Sequence, residues 1–95
     1  MIKHVVLFKL KDSSPESVER TVSVLRGLEG KVEQLVDIQI GSDVLRSERS
    51  YDIALIATFA SLEDLQGYQV HPEHKKVIEH MSQVRESQFA VDYEF

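Results

Sequence analysis

The sequence predicts an α+β protein with the element order βαββαβ, folded as a two-layer sandwich over one four-stranded antiparallel sheet. Three observations predict it. β-Forming residues crowd both ends of the chain and residues 51–59. A stretch with apolar residues at three- and four-residue spacing follows the first β-rich run. A second helical stretch, broken at Pro72, precedes the last run. The 95 residues fit a single domain, 1–95, with no repeat, linker or low-complexity tract.

Each element has a local cause. In residues 2–10, Ile2, His4, Val6, Phe8 and Leu10 share one face, and Val5 and Leu7 lie on the other. A strand covered on both sides reads this way. Ser14 can cap a helix, Pro15 fits its first position, and Glu16 and Glu19 suit its positive end. Val18, Val22, Leu25 and Leu28 carry that helix to about residue 29, with Gly30 as the stop. Val36, Ile38 and Ile40 alternate with Asp37 and Gln39, which predicts a second strand ending at Gly41. Residues 42–50 read as a polar, solvated loop whose Arg46 and Arg49 could grip an anion. Tyr51 to Phe59 is the third strand. Ser61-Leu62-Glu63-Asp64 resembles a capping box and opens a short helix to about Tyr68. Pro72 restarts a helix with Val77, Ile78 and Met81 as its apolar stripe, and Phe89 to Phe95 alternates as the fourth strand.

Composition narrows the function. Hydrophobic residues are 42% and charged residues 28%, which fits a globular protein rather than a disordered one. No apolar run reaches the roughly 20 residues of a membrane helix, so no membrane partner is expected. The start of the chain lacks a signal-peptide pattern, and a cytoplasmic location is the default expectation. The absence of cysteine excludes disulfides and thiolate chemistry. A net charge of −5 argues against a nucleic-acid partner. One sheet face would carry Val5, Leu7, Ala54, Ile56, Phe89, Val91, Tyr93 and Phe95, too apolar a surface to leave in water. A homodimer closing through the sheet faces is the expected partner arrangement.

Histidines dominate the candidate chemistry. His4, in an apolar strand, is either a hydrogen-bonded core residue or a pocket residue. His71, just before Pro72, is read as a helix cap. His74 lies on the stripe of Val77, Ile78 and Met81, and Tyr68 can approach it across the helix break. Asp92 alternates with Val91 and Tyr93, so it either faces the helices, where it could hold His74, or joins Glu94 on a solvated face. Tyr, His and Asp together suit proton abstraction or enol stabilisation. No covalent-nucleophile motif, glycine-rich phosphate loop or metal-ligand framework is present, so no cofactor and no metal are expected. His80 is expected to be exposed, without a role.

The run Lys3-His4-Val5-Val6-Leu7-Phe8-Lys9-Leu10, the strand Ser50-Tyr51-Asp52-Ile53-Ala54-Leu55, the segment Tyr68-Gln69-Val70-His71-Pro72-Glu73-His74 and the closing Val91-Asp92-Tyr93 resemble the stress-responsive A/B barrel (Dabb) domain family. The resemblance spans essentially the whole chain. It implies a ferredoxin-like fold paired as a dimeric α/β barrel. The family includes plant stress-associated proteins, many bacterial members and a plant polyketide cyclase that works by intramolecular aldol condensation. By that resemblance Tyr68 and His74 match the catalytic pair, and His4 and Asp92 match further pocket positions. His74, held by Asp92, would be the base and Tyr68 would hold the carbonyl or enolate. The expected pocket wall adds Val6, Phe8, Ile53, Leu55 and His71. Ile53 stands where the cyclase has a histidine, and Val18, Val22 and Leu25 stand where it has aromatic residues. The expectation is therefore a small-molecule binding dimer with cofactor-free, lyase- or cyclase-like acid–base chemistry. The alternative is a non-catalytic stress-response protein whose stable assembly is the function. A cofactor-free monooxygenase is a further possibility by fold analogy.

Overall fold

The computed structural model describes residues 1–95. Its elements run β1 (Ile2–Leu10), α1 (Pro15–Arg26), β2 (Leu35–Ser42), β3 (Ile53–Phe59), α2 (Leu62–Gln69), α3 (Pro72–Val84) and β4 (Arg85–Glu94). The four strands form one antiparallel sheet in the order β2-β3-β1-β4. This is the ferredoxin-like arrangement, with the second helical segment split in two. No helix is long and apolar enough to cross a membrane.

The core lies between the helices and one sheet face. Ile2, His4, Val6, Phe8 and Leu10 of β1 are buried there, as are Ile53, Leu55, Ala57 and Phe59 of β3. Val18, Val22 and Leu25 of α1, Leu65 and Tyr68 of α2, and Val77 and Met81 of α3 close over them. Burial of this apolar area is the main stabilising term. The caps are as the sequence implies: Ser17 N–H donates to Ser14 Oγ at 3.3 Å, and Asp64 N–H to Ser61 Oγ at 3.1 Å.

Several boundaries differ from expectation. Helix α1 ends at Arg26 rather than 29, because Leu28 and Glu29 bond three residues back, to Leu25 and Arg26 carbonyls at 3.1 Å each. Those tighter turns still bury Leu28, and Gly30 follows with φ 77°. Strand β2 starts one residue earlier and ends one later than expected. Strand β4 begins at Arg85, because α3 passes straight into it without a loop.

Strand β3 begins at Ile53, because Asp52 serves a different purpose. Its buried carboxylate, 3% exposed, accepts Leu10 N–H at 2.7 Å and Arg46 Nη2–H at 2.9 Å. Arg46 sits in the left-handed region (φ 55°), held there by its N–H donating to Asp43 Oδ2 at 2.6 Å. Its guanidinium also reaches the Ser13 carbonyl at 3.4 Å. The loop expected to be solvated and free for an anion is instead pinned by Arg46 to the end of β1 and the approach to α1.

The other sheet face is uncovered. Leu7 pairs with Phe89, Val5 with Val91 and Lys3 with Tyr93, and Phe89, Val91 and Tyr93 are 64%, 55% and 47% exposed.

Candidate functional site

The break between α2 and α3 organises the site. Pro72 ends the first helix, and His71 caps the second by accepting Glu73 N–H on Nδ1 at 3.1 Å. In an unbroken helix that N–H would go to the Gln69 carbonyl. The carbonyl instead takes His74 Nδ1 at 3.3 Å. A carbonyl only accepts, so Nδ1 of His74 carries the hydrogen and the neutral ring keeps its lone pair on Nε2. The same logic gives His71 a hydrogen on Nε2, which donates to Glu33 at 3.3 Å.

The His74 ring lies on that of Tyr68, with centroids 4.0 Å apart. Tyr68 is wedged against Phe59 at 5.0 Å and meets His4 edge-on at 6.1 Å. From the sheet side, His4 Nδ1 is hydrogen-bonded to Asp92 Oδ1, its direct cross-strand partner. The carboxylate accepts, so Nδ1 of His4 is the donor.

These four side chains stand at one end of a cavity of about 410 Å³ between α3 and the β1–β4 half of the sheet. Val6, Phe8 and Leu55 line it, and so do Leu25, Val77, Ile78, Met81 and Ala90. Gln69, Gln88 and Arg85 are the remaining polar wall. Depressions of about 460 and 500 Å³ occur elsewhere, beside the chain ends and beside α1, but no histidine lines either. No group of three or more His, Asp or Glu side chains converges as a cation site.

Burial sets the protonation states. It lowers the His74 pKa below the ordinary 6.5, against the raising effect of the Gln69 carbonyl, and the positive charge that His4 and His71 can carry lowers it further. Burial also pushes the Tyr68 phenol far above its usual value. At neutral pH the site therefore presents a neutral imidazole and an intact phenolic hydroxyl.

Four placements depart from the sequence reading. Asp92 holds His4, not His74, because Asp92 stands opposite His4 in the β1–β4 register while a backbone carbonyl already occupies His74 Nδ1. Ile53 is sealed in the core, 2% exposed, and does not line the cavity. His71 lies outside the cavity too, as the helix cap. His80 is half-buried rather than exposed, and its Nε2 is enclosed without a partner. The sequence reading missed Gln88 and Ala90, although both alternate with Phe89 and Val91. The signal was there once β4 is extended towards α3.

A family model described as the stress responsive A/B barrel domain (Dabb) matches residues 2–95. The chain belongs to this family. The Dabb domain is 31% identical over 98 residues to the Arabidopsis thaliana stress-response A/B barrel domain-containing protein DABB1. That match covers 98% of this chain and 46% of the relative, so the chain spans about half the length of the plant protein. It is 32% identical to a dimeric Bacteroides fragilis protein of unknown function and ferredoxin-like fold, with a TM-score of 0.83 over 99% of this chain and 95% of that one. A dimeric ferredoxin-like protein from Thermobifida fusca, also of unknown function, superposes with a TM-score of 0.87 at 25% identity, over 99% and 90% of the two chains. A hydroxynitrile lyase from Passiflora edulis shares this Dabb domain's fold alone, at 15% identity and a TM-score of 0.81 over 97% and 90%.

Proposed function

We propose that this Dabb domain binds a largely apolar, carbonyl-bearing small molecule in the α3–β4 cavity and can act on it by acid–base chemistry without a cofactor. The carrying observation is the fixed tautomer of His74. Its Nδ1–H is engaged by Gln69, so the neutral ring offers a basic Nε2, and it stacks on a Tyr68 hydroxyl that remains a donor. A ligand carbonyl held by the Tyr68 hydroxyl is polarised. His74 Nε2 can then take a proton from the carbon beside it, with Tyr68 stabilising the enolate oxygen. The proton taken up by His74 Nε2 returns to the ligand from that same nitrogen, and His4, oriented by Asp92 through Nδ1, offers its Nε2 as an acceptor for a ligand hydroxyl. A mainly apolar wall and a few convergent polar groups are the usual make-up of a small-molecule site, and the volume is within the usual range. The plant cyclase resemblance points to the same pair of residues. The hydroxynitrile lyase adds that this fold hosts a lyase elsewhere.

We propose the domain works as a homodimer closed through its uncovered sheet face. The exposed Leu7, Phe89, Val91 and Tyr93 support this, as do the dimeric relatives.

The test is a screen of apolar ketones and aldehydes by calorimetry and proton–deuterium exchange at the carbonyl α-carbon. Tyr68→Phe should weaken binding, and His74→Ala should abolish exchange, while circular dichroism stays native. Full exchange in both variants would refute the roles of these residues.

A further inference from the structure

At the far end of the cavity from His74 stands Arg85, and its placement depends on an irregularity in the sheet. Along β1 and β4, Lys9 pairs with Ser87, but Leu10 pairs with Arg85, so Glu86 is an extra residue in the ladder. Such a bulge reverses which side chains face which way. Regular pairing would put Arg85 with Ser87 and Phe89 on the uncovered face. The bulge puts it with Leu10 on the helix face, where it lines the cavity. The backbone there is held from two sides: Arg85 N–H closes α3 by bonding the Met81 carbonyl, and the next bond, from Lys11 N–H to the Val84 carbonyl at 2.9 Å, ties the junction to β1.

The guanidinium is in no ion pair. The protein's ion pairs take up His4, Arg46, His71 and Lys76. The single carboxylate lining the cavity, Asp92, is at the opposite end and bonded to His4. From His74 to Arg85 is eleven residues, about 16 Å at the helical rise. The wall between them is apolar: Val77, Ile78 and Met81 on α3 face Val6, Phe8 and Ala90 on the sheet.

Resting on the small-molecule reading above, we infer that the ligand is an extended apolar molecule with an anionic end. Its carboxylate pairs with Arg85, and its carbonyl lies at Tyr68 and His74. In a chain of net charge −5, an exposed cation without an ion-pair partner at the rim of an apolar cavity favours such a molecule. A cation also suits the negative end of α3, a role that needs no ligand. The test therefore reads ligand selectivity rather than stability.

The probes are the keto acid (ω−1)-oxoundecanoate and its neutral methyl ester, titrated calorimetrically into the wild-type protein, Arg85→Gln and Arg85→Lys. The wild type should bind the acid roughly three-fold or more tightly than the ester at low salt. Arg85→Gln should erase that preference, so that acid and ester bind alike, and Arg85→Lys should restore part of it. Equal wild-type affinities for acid and ester, or a preference that survives Arg85→Gln, would overturn the assignment of Arg85 while leaving the cavity reading intact. Binding of neither probe to any form would overturn the cavity reading, and the anionic-end inference with it.

Discussion

His4 and Asp92 face each other across β1 and β4, and the carboxylate holds the Nδ1 edge of the imidazole. The pair joins the edge strand to the wall of the cavity. Asp92→Ala leaves a buried ring nitrogen without its partner. Because the Asp92 side chain is itself 37% exposed, water can reach the gap and the cost stays near 1 kcal/mol. Urea denaturation should show that loss. The Asp92→Ala protein should also show a His4 ring that has lost its fixed tautomer, read from imidazole nitrogen shifts. An unchanged tautomer would mean that Asp92 does not orient His4.

His74 gives the protein a pH dependence of known sign. Its folded pKa lies below the ordinary 6.5 of the unfolded chain, chiefly because burial disfavours the cation. Below both values the folded state must carry a charge it disfavours, so folding is weaker there. Stability from this group is complete above 6.5 and falls as pH drops from 6.5 through the lower folded value. The acid limb of any catalysed proton exchange should also lie below 6.5, and direct titration of the ring by NMR should give its midpoint. His74→Gln should remove this part of the pH dependence of stability. A midpoint above 6.5 would contradict the assignment.

Arg46 and Asp52 make a local clasp away from the cavity. Arg46→Met leaves the 3%-exposed Asp52 carboxylate with the Leu10 N–H alone. Loss of a buried charge's partner is costly, and the 43% exposure of Arg46 moderates it, to about 2 kcal/mol. Chemical denaturation should show that loss with ligand affinity unchanged. A destabilisation under about 0.5 kcal/mol would mean the clasp holds little.

The uncovered sheet face predicts a concentration-dependent assembly. Val91→Lys places a charge in the middle of that face, opposite Val5. Light scattering should give a dimer for the unaltered chain and a monomer for Val91→Lys, and the melting temperature of the unaltered chain should rise with concentration. A monomeric unaltered chain would remove the dimer from the proposed function.

The order of elements, both sheet faces and the helix break were legible in the sequence, because each rests on local chemistry. Alternation in Ile2–Leu10 separates the two faces of a strand, Ser14 and Ser61 cap helices, and Pro72 forces the break that frees the Gln69 carbonyl. Tyr68, His74, His4 and Asp92 could be nominated for the same reason, since residue type and face are readable one segment at a time. Partnership was not. That Asp92 serves His4 follows from the register between strands 88 positions apart, and no local pattern carries a register. That Asp52 is a buried anchor follows from an arginine arriving in a left-handed turn. That Arg85 faces the cavity follows from one unpaired residue in the β1–β4 ladder, which inverts the alternation on which the sequence reading depends. Sequence alone determined which faces are apolar and which residues could do chemistry. Only the tertiary structure decided who pairs with whom, because pairing is set where distant segments meet.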